Sequence, residues 1–321
     1  MQDKHDSGVA ILCRRIAITF AAASCLFVSG CATQQLSKHA TALSTATAPV
    51  VTGAAAAYQA ANEIHEKKTD YDAIADFDKT EPVYNPRVLH PLLTYDDIEL
   101  RLKVLTAFQL YVAQVVDITK GTSSPELDAA STSFGTGLAN LGNTVLPAPA
   151  TSTTATSATP DLAISTGTQN AISTGVNALG QFLVNRVIQK DLPQKVKDMD
   201  PQVDTLCKLM IKEVDELRDI ETKDFNSIID RRTLFIRDPS NKLSSAERQH
   251  EILELPELGR EQHKAEEQLI ALRKAIFTLD LTHHALAAEA QGNNPESLKN
   301  KIGDLEAAGK NLGKYYSSLP E

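Results

Sequence analysis

Thiols and imidazoles are the side chains of this chain best suited to nucleophilic or metal chemistry. There are four cysteines, Cys13, Cys25, Cys31 and Cys207, and eight histidines. Cys31 stands in "LFVSGCAT", directly after a short apolar run and a Ser-Gly pair. Cys207 sits among Val203, Leu206 and Met210 at helical spacing, which reads as a small buried hydrophobe with no base beside it. Glu247-x-x-His250 and Asp280-x-x-His283 have the carboxylate-x-x-histidine spacing of di-iron bundles. Such a site also needs inward-facing glutamates on other helices, and no second set falls on an apolar face. His250 lies off the apolar stripe. No catalytic, metal or cofactor residue is therefore assigned, and the chain is read as a non-enzyme. His283 shares a heptad seam with Leu279 and Leu286. A polar residue there can set register at a cost in stability; a partly buried histidine bonded to a facing carboxylate is expected, and leucine at 283 would stabilise the fold only if the histidine were a mere register device. No glycine-rich phosphate loop, GxSxG elbow or HExxH pair is present. Arg231, Arg232 and Arg237 cluster near a helix end, where cations complement the helix dipole.

The chemistry of Cys31 follows from what precedes it. Arg14 and Arg15 lead into thirteen mainly apolar residues, Ile16 to Val28, then Ser29, Gly30 and Cys31. A basic flank, a short apolar region and a small-residue junction make a secretory signal peptide. As a helix, thirteen residues rise only about 20 Å, short of a hydrocarbon core of roughly 30 Å. Val28-Ser29-Gly30-Cys31 resembles the lipobox of bacterial lipoproteins: an aliphatic residue, two small residues and cysteine. The resemblance covers this segment alone. It implies cleavage after Gly30, a thioether-linked diacylglycerol on Cys31, and a bilayer held through that lipid. Ala32 replaces the aspartate that commonly retains such proteins at the inner membrane, which implies an outer-membrane anchor facing the periplasm.

Composition narrows the partners. Residues 1–30 carry Lys4, Arg14 and Arg15 against Asp3 and Asp6. The chain from Cys31 onward then holds 29 basic and 39 acidic residues, a net charge of −10 where the whole chain has −9. That argues against nucleic acid and against electrostatic binding to anionic lipid, so that lipid and not charge is expected to provide the membrane contact. With Cys31 acylated, Cys207 has no intramolecular disulfide partner. An exported domain without a disulfide depends on its core.

The elements around these residues read as helices. Ser124-Pro125, Thr159-Pro160, Asp200-Pro201, Asp238-Pro239 and Asn294-Pro295 each place a capping side chain before proline, and Thr94/Asp97 and Ser244/Glu247 have capping-box spacing. Apolar residues recur at three or four: Ile98, Leu102, Leu105, Phe108, Val112 and Val116; Val203, Leu206, Met210, Val214 and Leu217; Leu269, Leu272, Ile276, Leu279 and Leu286; Leu298, Ile302, Leu305, Leu312 and Tyr316. Strand-like alternation is almost absent. The expected fold is all-α, an elongated antiparallel bundle with coiled-coil-like packing. Pro256 and Gly259 are expected to break or kink a late helix.

The expected organisation is a signal peptide over 1–30, then an Ala/Thr-rich spacer or thin helix over 31–68. An irregular link and first bundle helix take 69–128. A small-residue hairpin fills 129–190, with a low-complexity tip at 147–160, and long helices occupy 191–321. Leu36, Ala40 and Leu43 would line the thin helix, which Pro49 argues against continuing unbroken. Tyr71, Phe77 and Tyr84 would pack the link on the bundle. From Ala129 to Asn185 only Asp161 is charged. "TGLANLGN" and "TGVNALGQ" echo each other across the tip. Phe134, Leu138 and Leu141 share one helical face and Ile172, Val176 and Leu179 another, a candidate interaction hairpin. Two functions are expected from this pattern. The first is an envelope lipoprotein that binds an envelope protein, or itself, through its bundle. The alternative is a membrane-active or channel-associated protein that uses the uncharged hairpin.

Overall fold

The computed structural model describes the backbone of residues 6–80, 91–121, 125–144, 166–185, 187–293 and 295–316. Within these, side chains are described for 34–74, 91–121, 125, 128–137, 172–185, 187–293 and 296–312. The described residues form seven α-helices and a short 3-10 turn, with no strand: α1 (Asp6–Thr80), α2 (Tyr95–Lys120), α3 (Pro125–Thr144), α4 (Thr166–Val184), α5 (Leu192–Arg237), α6 (Ser245–Ala290) and α7 (Pro295–Tyr316). They pack on one another as an all-α bundle.

The helix ends follow local chemistry. Thr94 and Asp97 close a capping box at α2, and Ser244 and Glu247 close another at α6. Gly121 ends α2 at φ 65°, a conformation that costs other residues steric strain. Asp238 accepts from the Ser240 N–H and starts the turn Pro239–Asn241. Asp200-Pro201 does not start a helix. The helix α5 begins eight residues earlier, with Pro193 in its first turn, and runs through Pro201. The Asp200 carboxylate is bonded across to α6 instead of capping.

Two further expectations are corrected. The helix α1 runs through Pro49 and on to Thr80, so residues 69–80 are helical and not an irregular link. Of the aromatics assigned to that link, Tyr71 sits in α1; the Phe77 side chain and Tyr84 lie outside the described residues. Proline inside a helix costs on the order of 3 kcal/mol. Burial on both sides offsets it: Leu36, Ala40, Leu43, Ala46, Val50, Ala54 and Tyr58 make a buried stripe. Each fully buried leucine or valine is worth about 1.5–3 kcal/mol. The helix α7 leaves room for the ring, since a Cβ on Gly309 would lie 3.2 Å from Pro49 Cβ. The α6 helix likewise continues through Pro256 and Gly259, with Leu258 buried between them.

The heptad residues Leu269, Leu272, Ile276, Leu279, His283 and Leu286 of α6 are all buried, as are Leu298, Ile302, Leu305 and Leu312 of α7. Cys207 is buried with Val203, Leu206 and Met210. Burial pushes its thiol well up, with the charges of Asp280 and Asp204 adding to the shift, so it is inert as a nucleophile.

The helices α3 and α4 form an antiparallel pair that packs on α2, with α4 also seated on α5. A Cβ on Gly135 would lie 2.8 Å from the Gly180 carbonyl oxygen, and one on Gly175 would lie 2.7 Å from Leu206 Cγ. Glycine is what permits both approaches. Gly135→Ala is expected to cost about 1–3 kcal/mol, because a backbone carbonyl cannot swing aside. Gly137, two residues on, faces open space. Gly137→Ala should stabilise by about 0.5–1 kcal/mol through helix propensity alone. Urea titrations of both variants check the pair, and equal midpoints would refute the tight crossing.

Candidate functional site

The candidate chemistry is a set of polar groups buried between helices. His283, fully buried, makes two bonds. Its Nδ1 donates to Asp200 Oδ1 of α5 at 3.1 Å, and its Nε2 is 3.0 Å from the Tyr111 hydroxyl of α2. A carboxylate only accepts, so Nδ1 carries the proton and Nε2 accepts from Tyr111 in the neutral ring. The exposed His284 gives its Nδ1 to the other Asp200 oxygen at 2.8 Å. Partial burial alone would raise the Asp200 carboxyl; the bonds from His283 and His284 outweigh it and hold it below the ordinary carboxylate value. Burial drives the Tyr111 hydroxyl far up, with the Asp200 charge adding to it. Phe108 and Phe182 stack on this group, Phe182 edge-on to Tyr111 at 4.6 Å.

Asp280, three residues before His283, is not its partner. Burial raises the Asp280 carboxyl, and nearby Asp204 adds to the shift. Glu247 caps α6, and His250 is exposed. The two carboxylate-x-x-histidine spacings thus stay apart, and no group of three metal-binding side chains forms among the described residues. Arg232 pairs with Glu251 of α6 and Arg231 with Asp72 of α1, so two of the three clustered arginines bind helices together.

Two more histidine pairs were not singled out in the sequence. His39 Nδ1 lies 2.8 Å from Glu289 Oε2, joining α1 to the end of α6. His65 Nδ1 lies 2.8 Å from Asp224 Oδ2, joining α1 to α5. The signal was present: His39 adjoins the stripe Leu36, Ala40, Leu43, and His65 follows Ala61 by one helical turn. Arg101 is similar. It is buried on the core face of α2 and bonds to Glu213 of α5, with Nε 2.6 Å from Oε1.

Beside the His65–Asp224 pair lies Glu221, also buried. Burial, with the Asp224 charge adding, pushes its carboxyl from 4.5 up to about 8. From about pH 5 to 8 the folded chain therefore keeps a proton there that the unfolded chain has released. Stability falls as pH rises across that window. Asp200 has the opposite sign, but its loss falls at acid pH, outside this range. Glu221→Gln keeps the shape and removes the titration. Its expected effect is a flatter pH dependence and a gain of about 2–4 kcal/mol at pH 8.5. Urea midpoints at pH 5.5, 7 and 8.5 measure this; parallel profiles would exclude a protonated Glu221.

The expected interaction residues divide. Val176 and Leu179 are buried, while Phe134 and Ile172 are partly buried against the core. Gln114 Nε2 donates to the Leu183 carbonyl at 3.2 Å, tying α4 to α2. The apolar faces of the hairpin thus turn inward where they are described. Leu138, Leu141 and the low-complexity tip, 147–160, lie outside the described side chains, as do Gly30 and Cys31. Among its described side chains, α3 exposes Pro125, Ala129, Ala130, Thr132, Ser133, Thr136 and Gly137, none of them charged. Large exposed apolar side chains gather elsewhere, near the α5–α6 turn: Leu234, Phe235, Ile252 and Leu253. Among the described residues one helix, Tyr95–Lys120, has the length and composition to cross a membrane, and 56% of its most apolar stretch is buried inside the bundle.

Compared with known proteins, the chain matches no family model, no curated protein and no solved structure.

Proposed function

We propose that the protein is a non-enzymatic envelope lipoprotein, fixed by acylated Cys31 to the outer membrane on its periplasmic side, whose bundle is a rigid interaction module. The observation that carries this reading is the position of Leu36. Only Ala32 to Gln35 separate Cys31 from Leu36, the first buried residue among the described side chains of α1, so a lipid on Cys31 would grip the bundle almost directly. The absence of catalytic use is supported by the polar groups themselves. The buried histidines and Arg101 are occupied in joining helices. The partner, an envelope protein or a second copy, would find its largest apolar foothold at Leu234, Phe235, Ile252 and Leu253.

A second reading, a membrane-active hairpin, is favoured by the uncharged exposed residues of α3 between Ala129 and Gly137. Liposome flotation separates the two. Acylated protein is expected to float, and residues 32–321 without Cys31 to stay at the bottom. Flotation of the unacylated chain would move the hairpin reading first; failure of the membrane-extracted chain to float would overturn the lipoprotein.

A further inference from the structure

The contacts fix which end of the bundle carries Cys31. His39 reaches Glu289 near the end of α6, Gln291 Nε2 donates to the Pro193 carbonyl at the start of α5, and Gln189 Nε2 donates to the Thr119 carbonyl at the end of α2. The start of the mature α1, the end of α2, the α4–α5 connection and the α6–α7 turn therefore share one pole. His65–Asp224, Lys67–Glu261 and Asp72–Arg231 mark α1 rising along the bundle toward the α5–α6 turn at the other.

The first pole has an unusual surface. Ile188 is 59% exposed and Val184 44% exposed on the α4–α5 connection. The described residues 187–198 expose Lys190, Lys195 and Lys197 against Asp191 and Asp198, a basic balance in an acidic chain. Lys38 and Lys120 are exposed at the same pole. Apolar side chains ringed by lysines are what a headgroup interface accepts, and each basic residue near an anionic surface gains about 1 kcal/mol. The α6 helix carries nine acidic residues against five basic ones, a balance that such a surface repels.

Resting on the lipoprotein reading, we infer that the 184–197 pole, with Ile188 as its apolar contact, sits on the bilayer that holds Cys31, so that the bundle stands upright. The occupant is the membrane and not a protein, because the lipid attachment lies on the same pole. Two apolar side chains are too few to hold the unacylated chain, since even one myristoyl group binds marginally. The α5 helix, with 46 residues at 1.5 Å each, then holds the α5–α6 turn roughly 69 Å from the surface.

The chain has no tryptophan, so one introduced residue reports alone. Full-length Ile188→Trp and Phe235→Trp are expressed in a lipoprotein-processing bacterium and extracted from its membranes. Each is reconstituted in phosphatidylethanolamine–phosphatidylglycerol vesicles with brominated acyl chains, and the mass of the same sample is taken. Blue-shifted and quenched emission at 188, with unquenched emission at 235, is the expected result. A lipidated mass with emission unquenched at 188, or quenched at both positions, overturns the upright orientation and leaves the anchor standing. A mass without lipid overturns the anchor and this inference together.

Discussion

Replacing His283 with leucine is expected to destabilise the bundle by about 3–5 kcal/mol, although an apolar residue completes its heptad. The reason is what the imidazole holds. Removing it leaves the buried Tyr111 hydroxyl without its acceptor and takes one donor from Asp200, which keeps only His284. An unsatisfied buried polar group costs its full desolvation, about 1–3 kcal/mol. The leucine gains back part of this through burial, but not the two lost bonds. A second substitution tests the account. Tyr111→Phe in the His283→Leu background removes the orphaned hydroxyl and should recover about 1–2 kcal/mol, whereas Tyr111→Phe alone should destabilise. Chemical denaturation of the four proteins completes the cycle. A His283→Leu protein as stable as its parent would reduce the histidine to a register device.

Cys31→Ala is expected to reduce incorporation of radiolabelled palmitate to background. Each acyl chain of about fifteen methylenes contributes on the order of 10 kcal/mol to membrane binding, so no surface contact compensates for its loss. Without the thiol there is no sulfur to receive diacylglycerol, and processing at Gly30 stops. The expected product retains residues 1–30 and is missing from the outer-membrane fraction. Cys207→Ala is the matched control: that thiol is buried and should leave labelling unchanged. Continued labelling of Cys31→Ala would remove the basis for an anchor.

Much of the architecture was legible in residue order, and the exceptions have common causes. The stripes ending in Leu286 and Leu312 fall on buried faces because a heptad states which side of a helix avoids water. The capping boxes at Thr94 and Ser244 are local, three residues wide, and form as read. Pro49, Pro201 and Pro256 misled for one reason: a helix break is a local cost, and its compensation lies on other helices. The buried polar network was only half visible. His283 stood out on a seam, but its partners are 83 and 172 residues away, and no spacing rule reaches that far. The basic pole was missed for a related reason. Lys190, Lys195 and Lys197 stand close in sequence, but Lys38 and Lys120 join them only where α1, α2 and α5 meet.

On the proposed lipoprotein reading, the fit of α1 against α7 has a consequence for export. A Cβ on Gly53 would fall 2.2 Å from Leu312, and Gly309 accommodates Pro49, so α1 packs closely on α7 at two glycines. Contacts separated by some 260 residues close late, because the connecting loop must lose its freedom first. While a chain is being threaded across a membrane from its N-terminus, Leu43, Val50 and Gly53 emerge long before α7 exists on the far side. The bundle therefore cannot lock until translocation is nearly finished. Late closure of this kind keeps a precursor open for transport, and it makes the final twenty-odd residues the ones that convert an exported polypeptide into a folded one.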